Sequence, residues 1–133
     1  MLLKRSDINP NTTDIRYGRT PLWLAAKNGH EEVVRMLLER SDVNPNTTDI
    51  GYGRTPVWWA AKNGCDGVVR MLLERNDIYP NIADNSNHTP LSLAAEDGHE
   101  GVVRMLVQRN GVGPDKMDNS GQTPLWRAAG GGH

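Results

Sequence analysis

The chain contains no phenylalanine and a single cysteine, and it has no long apolar run. Aromatic residues make up 5% and hydrophobic residues 37% of its 133 residues, too thin a supply for one large compact core. Such a composition suits a fold that buries many small cores in series. Cys65 has no second cysteine to pair with, so an internal disulfide is excluded and a reducing, cytoplasmic setting is expected. No run of residues has the length or apolarity of a bilayer span, and the opening MLLKRSD lacks the hydrophobic stretch of a signal peptide. Neither charge dominates. The formal net charge is −1, which gives no overall field to attract nucleic acid or an anionic membrane.

What is present is repetition. Thr-Pro pairs begin at Thr20, Thr55, Thr89 and Thr123, at spacings of 35, 34 and 34 positions. The similarity runs through the whole period. RTPLWLAAKNGHEEVVRMLLERSDVNPNTTD is followed by RTPVWWAAKNGCDGVVRMLLERNDIYPNIAD and then by HTPLSLAAEDGHEGVVRMLVQRNGVGPDKMD. Each period reads as turn, helix, turn, helix. Thr20 is a good N-cap, and Pro21 suits the first helical position, where no N–H is needed. The first helix is expected over Pro21–Asn28, stopped by Gly29 in a left-handed conformation. The second, roughly Glu31 to Arg40, carries Val33, Val34, Leu37 and Leu38 at helical period. Glu31 and Arg35, Asp66 and Arg70, and Glu100 and Arg104 stand four apart in the favourable order for ion pairs. Pro45 breaks the helix in SDVNPN. The pairs Ala25-Ala26, Ala60-Ala61, Ala94-Ala95 and Ala128-Ala129 are small enough for helices to approach closely.

These residues resemble the ankyrin repeat family, whose pattern is D-x-x-G-x-T-P-L-H-x-A-A-x-x-G-H followed by an apolar helix and a return loop. The resemblance covers essentially the whole chain. It implies an all-α solenoid of stacked helix-turn-helix units with hairpin-like loops and a concave face, working as a protein–protein interaction module and not as an enzyme. The TPLW variant and the NPN loop look most like the long arrays of fungal proteins, where the array is often the sensing part of a larger protein. On this alignment the 133 residues form one array, with a half repeat at 1–13, repeats at 14–48, 49–83 and 84–117, and a half repeat at 118–133. Met1-Leu2-Leu3 aligns with Met36-Leu37-Leu38, and 128–133 aligns with 25–30, so both ends are expected to fall inside repeats. The chain then reads as a piece of a longer array. The alternative is head-to-tail self-association through uncapped ends, which a monomeric mass by light scattering at high concentration would exclude.

Departures from the pattern carry information. The family His after TPL is Trp23, Trp58, Ser92 and Trp126 here, and the His of the GH pair is Cys65 in the second unit. The hairpin of the first two units is one residue longer than that of the third. Gly18, Gly53 and Gly121 are expected at positive φ, with Asn87 standing in for them in the third unit. The Trp column reads as packing between repeats, with a ligand-stacking platform as the alternative, and Trp59, in place of a Leu, reads as core. Asn-x-Thr triplets begin at Asn11, Asn46 and Asn87. Two of them are copies of one repeat loop, which is the simpler reading than glycosylation.

By resemblance, partners touch the hairpin tips and the exposed side of the first helix. Carried over, this gives Arg16, Tyr17, Arg19, Lys27 and Asn28 in the first unit and Tyr52, Arg54, Lys62 and Asn63 in the second. The third gives Asn85, Ser86, His88, Glu96 and Asp97, and the last Asn119, Ser120 and Gln122. Arg16, Arg19, Lys27, Arg54 and Lys62 precede Glu96 and Asp97 along this face, so a basic-to-acidic gradient and an acidic partner segment are expected. The alternative is ordinary scattered charge on a solvated face.

The residues that invite other chemistry read otherwise. His30, Cys65, His99 and His133 fall one per unit, and neighbouring units lie about 10 Å apart, too far for a zinc ion whose ligands sit at about 2 Å. Glu31-Glu32 and Glu96-Asp97 are adjacent along helices and do not face each other. Gly111-Val112-Gly113-Pro114 is a return loop and not a phosphate cradle, and no nucleotide or nucleophile motif is present. No metal or cofactor is implied.

Overall fold

The computed structural model describes residues 9–109, which fold into six short helices. They come in three pairs. The first is α1, Pro21–Asn28, with α2, Glu31–Leu38; the second is α3, Pro56–Lys62, with α4, Asp66–Leu73; the third is α5, Pro90–Glu96, with α6, Glu100–Gln108. The first helices of the pairs stack on one another, as do the second helices, giving two parallel layers of an all-α repeat solenoid. Gly121, the Ala128-Ala129 pair and the expected end contacts lie outside the described residues.

Every first helix starts the same way. Thr20, Thr55 and Thr89 are extended and almost fully buried, and each hydroxyl accepts from the backbone N–H three residues on, at 3.1 Å. Ser92 adds the reciprocal bond of a capping box, its Oγ accepting from Thr89 N at 3.0 Å. Each helix stops at a left-handed glycine, Gly29, Gly64 or Gly98. The next residue's N–H then reaches back to Ala25, Ala60 or Ala94 O at 2.9 Å, satisfying a carbonyl the helix leaves open. The alanine pairs of the three described units, Ala25-Ala26, Ala60-Ala61 and Ala94-Ala95, are buried, as their size suggests.

The second helices are shorter than their apolar period suggests. Helix α2 ends at Leu38, where the last turn tightens with Arg40 N donating to Leu37 O at 3.2 Å, and beyond it the Arg40 side chain meets Asp42 in a two-pronged contact of 3.0 and 2.8 Å. Arg75 repeats this with Asp77 at 3.0 and 2.8 Å and does more. Its guanidinium crosses to the preceding unit, donating to Leu38 O and Arg40 O at 3.1 Å and to Val43 O at 2.9 Å. It thus closes the open carbonyl end of α2 from the neighbouring unit. None of the expected i,i+4 ion pairs, Glu31–Arg35, Asp66–Arg70 and Glu100–Arg104, forms among the described residues. Arg35 pairs with Glu32 instead, while the Glu31 carboxylate packs over Gly67 and that of Asp66 over Gly101, where those glycines leave room.

The Arg75 hydrogen bond and charge hold the Asp77 carboxyl below the usual carboxylate range, against the opposite pull of partial burial, and Arg40 does the same for Asp42. A depressed native pKa means that the unfolded chain binds protons first as acid is added. The stabilisation from these pairs is therefore complete above the ordinary aspartate range and is lost as pH falls through and below it. Urea midpoints measured from pH 6 down to pH 3 should fall, and Asp77→Asn should flatten that fall; an unchanged slope would rule the pair out as a source.

The NPN loops explain themselves in three dimensions. The Asn11 amide donates to Asp42 O at 2.7 Å and its carbonyl accepts from Asn44 N at 2.7 Å. Asn46 makes the same two bonds one unit on, to Asp77 O and from Tyr79 N, both at 2.8 Å. The side chain thus imitates a strand, stitching each return loop to the next while the intervening Pro10, Pro45 and Pro80 are buried. We expect Asn46→Ala to cost about 1–2 kcal/mol and to speed hydrogen exchange at Tyr79 N selectively.

Candidate protein-binding surface

Each hairpin is organised by an aspartate. Asp14 accepts from Tyr17 N at 2.6 Å and Gly18 N at 3.0 Å, and the Tyr17 bond leads the effects that lower its pKa. Asp49 accepts from Tyr52 N at 2.9 Å and Arg54 N at 2.8 Å, and Asp84 from Ser86 N at 2.9 Å and His88 N at 2.8 Å. Asp49 and Asp84 are buried to do so. The expected positive φ is found at Gly18 and Gly53, with Asn87 taking the same conformation at 66° in the shorter hairpin. Gly53 meets a second constraint, since a Cβ there would lie 2.5 Å from Asn85 Oδ1 of the next hairpin. Successive hairpins join through Ile50 N to Tyr17 O at 2.8 Å and Asn85 N to Tyr52 O at 2.9 Å. The tips thereby form one continuous ribbon that presents Ile15, Tyr17, Ile50 and Tyr52 to solvent.

Arginines lie on this ribbon's tyrosines. The Arg19 guanidinium sits 4.3 Å from the Tyr17 ring centre and Arg16 5.2 Å from it, and Arg54 sits 4.3 Å from Tyr52. Behind the tips stands a tryptophan cluster. Trp23 and Trp58 are buried between units, and Trp23 Nε1 donates to Arg54 O at 2.8 Å, joining the first unit to the second hairpin. Packing between repeats is thus what the Trp column does. The expectation of Trp59 as core is corrected. It is half-buried, lying edge-on to Trp23 at 5.7 Å and to Trp58 at 4.9 Å on the first-helix face. Its column also holds Leu24, 37% exposed, and Leu93, 5% exposed, so one repeat position changes from surface to core along the array.

The other expected contact residues divide into ties and open groups. Lys62 pairs with Asp97 at 3.0 Å across two units, and Arg19 Nε with Asp14 at 2.9 Å, so these charges are largely spent internally. The Asn63 amide donates to Lys27 O at 3.0 Å and Asn85 to Gly51 O at 3.2 Å. The Asn63 bond has a cause. In the third unit the GH histidine, His99, reaches Lys62 O at 3.0 Å; the second unit has Cys65 there, and Asn63 meets the corresponding carbonyl instead. Lys27 lies 5.5 Å from the Trp23 ring centre and 5.0 Å from that of Trp59. Asn28, Ser86 and Glu96 are exposed, and His88 Nδ1 is 3.7 Å from Asp84. Asn119, Ser120, Gln122 and Trp126 lie outside the described residues. The buried hairpin aspartates and the half-exposed Trp59 are what the sequence reading missed. The D of the family pattern pointed to the aspartates, while nothing in the local sequence separates Trp59 from its buried neighbour.

Among the described residues no group of histidine, cysteine and carboxylate side chains is placed to hold a metal, and no helix is long and apolar enough to cross a membrane. The grooves between outer helices, such as that lined by Arg35, Leu38, Glu39, Met71, Glu74 and Arg75, are open troughs at repeat boundaries. Burial, with Glu31 and Asp66 adding to it, raises the Cys65 thiol pKa. The thiol should therefore alkylate with iodoacetamide more slowly than free glutathione at pH 8; equal rates would contradict this.

A solenoid of paired helices joined by projecting hairpin-like loops is a repeat protein. A family model described as ankyrin repeats (3 copies) matches residues 1–84 and 76–133, and the chain belongs to that family. Ankyrin repeats are in general protein–protein interaction modules and typically not enzymes. No curated protein matches the chain.

Proposed function

We propose that this array recognises a protein partner through its hairpin ribbon and first-helix face, as the sensing or docking part of a larger ankyrin protein of the cytoplasm. The carrying observation is the ribbon itself. Tyr17 and Tyr52 are 41% and 62% exposed, each with an arginine stacked on it, while the helices behind them are tightly packed. Tyrosine and arginine on a rigid support are the side chains that anchor interfaces, because they bring large contact area with little ordering cost. The remaining surface candidates, Arg16, Asn28, Ser86, His88 and Glu96, would form the polar rim. A photo-crosslinking side chain placed at Tyr52 in the intact parent protein should capture the partner, and the same group at Arg104 on the outer layer should not. Capture at Arg104 alone would overturn the reading.

A further inference from the structure

We infer that the second unit carries a specific acceptor site for an Asp or Glu side chain of the partner, built from Lys27, Trp59 and Arg54; this rests on the protein-recognition reading above.

Two equivalent arginines, Arg19 and Arg54, differ in what they meet. Arg19 spends its Nε on the carboxylate of its own hairpin aspartate. Asp14 takes both of its backbone N–H bonds on Oδ1, which leaves Oδ2 for Arg19, whereas Asp49 spends Oδ1 on Arg54 N and Oδ2 on Tyr52 N. Among the described residues the Arg54 side chain is left with no acceptor, its buried Nε included. It is nevertheless fixed in place. Its guanidinium lies 4.3 Å from the ring centres of both Tyr52 and Trp58 and 5.1 Å from that of Trp59. The cluster therefore carries a guanidinium that no carboxylate of the described residues neutralises.

Lys27 adds the second cation. Its ammonium lies 5.0 Å from the same Trp59 ring, and among the described residues no carboxylate pairs with it. Two uncompensated cations thus share one indole and stand no more than about 10 Å apart. Lys62 is neutralised by Asp97 and Arg19 by Asp14, so among the described residues the cations of this face without a carboxylate are Lys27 and Arg54, which meet at Trp59, and Arg16, which stands apart over Tyr17. A guanidinium immobilised against aromatic rings has already lost its rotamer freedom and presents a planar fork that matches a carboxylate. Exposed Ile50 and Tyr52 beside it supply apolar contact for the partner's flanking side chains. The occupant is an extended protein segment with an acidic residue next to apolar ones.

A random 12-residue peptide library displayed against the full chain tests this. The recovered pool should be enriched in Asp and Glu beside apolar residues. In tryptophan-fluorescence titrations at low salt, the best peptide should bind about tenfold or more weakly to Arg54→Gln, and likewise to Lys27→Gln. Its own acidic-to-amide variant should lose the same factor and show no further loss on Arg54→Gln. Lys27 is at the surface, so its variant keeps the test decisive should Arg54→Gln unfold by circular dichroism. Peptides without acidic enrichment, bound equally by the parent and both variants but lost on Tyr52→Ala, would overturn the acidic site and leave protein recognition standing. Peptides indifferent to Tyr52→Ala and Trp59→Ala as well would overturn both.

Discussion

Replacing Arg75 with alanine is expected to lower the unfolding free energy by about 3 kcal/mol or more, the largest effect of any substitution of a charged residue here. The Arg75 side chain is only 16% exposed and donates to three carbonyls of the preceding unit as well as to Asp77. Its removal leaves those carbonyls facing a void and releases the contact that fixes one unit's loop on the next. Arg75→Lys should recover only part of the loss, because a single ammonium cannot span Leu38, Arg40 and Val43 together. Arg35→Ala is the control. That side chain is exposed and pairs only with Glu32, so its loss should stay within about 0.5 kcal/mol. Urea unfolding followed by far-UV circular dichroism compares the three, and equal midpoints for the Arg75 and Arg35 variants would refute the bridging role.

The second large effect contrasts one chemical change at two leucines. Leu72 is fully buried in α4, between the layers and between the neighbouring outer helices α2 and α6. Leu72→Ala should cost about 3 kcal/mol, because the lost transfer energy is joined by a cavity that packed neighbours cannot fill. Leu24 is equally apolar and lies in α1, yet it is 37% exposed. Leu24→Ala should cost about 1 kcal/mol or less, since there is little burial to lose. Nearest-neighbour coupling adds a further expectation. A cavity in the middle unit weakens its contacts to both sides, so the unfolding transition of Leu72→Ala should broaden as well as shift. Similar losses at the two positions, measured by the same urea titration, would show that burial does not decide the matter.

The helices were readable in the sequence because their determinants are local. Thr-Pro sets a cap and a permitted first residue, a glycine stops the turn, and the apolar period marks the buried stripe. The positive φ at Gly18, Gly53 and Asn87 was readable for the same reason, since it depends on the residue's own sterics. The ion pairs expected at Glu31–Arg35 and Asp66–Arg70 show the limit. Spacing allowed them, but Gly67 and Gly101 in the next units offered the carboxylates a place on the neighbouring helix, and Arg35 took Glu32. The candidate surface was legible to about the same depth. The hairpin tips and their Tyr-Arg character follow from the repeat, whereas which charges are already paired does not. Lys62 and Asp97 are 35 positions apart, and only stacking brings them to 3.0 Å.

The repeating sequence, then, determined the unit: two capped helices, a hairpin hinged on a left-handed residue and a return loop closed by proline, all set by short-range sterics and hydrogen bonding. Stacking decided what the unit's residues do. It gave the NPN asparagines and Arg75 partners in adjacent units, and it placed Trp59 at the face while burying Trp58 beside it. It also left Lys27 and Arg54 on one indole with no carboxylate of the described residues beside them. The reason is physical. A contact between units depends on which two surfaces meet, and neighbouring copies that differ by a few residues, Cys65 for His99 or Trp59 for Leu93, meet differently although each is built alike.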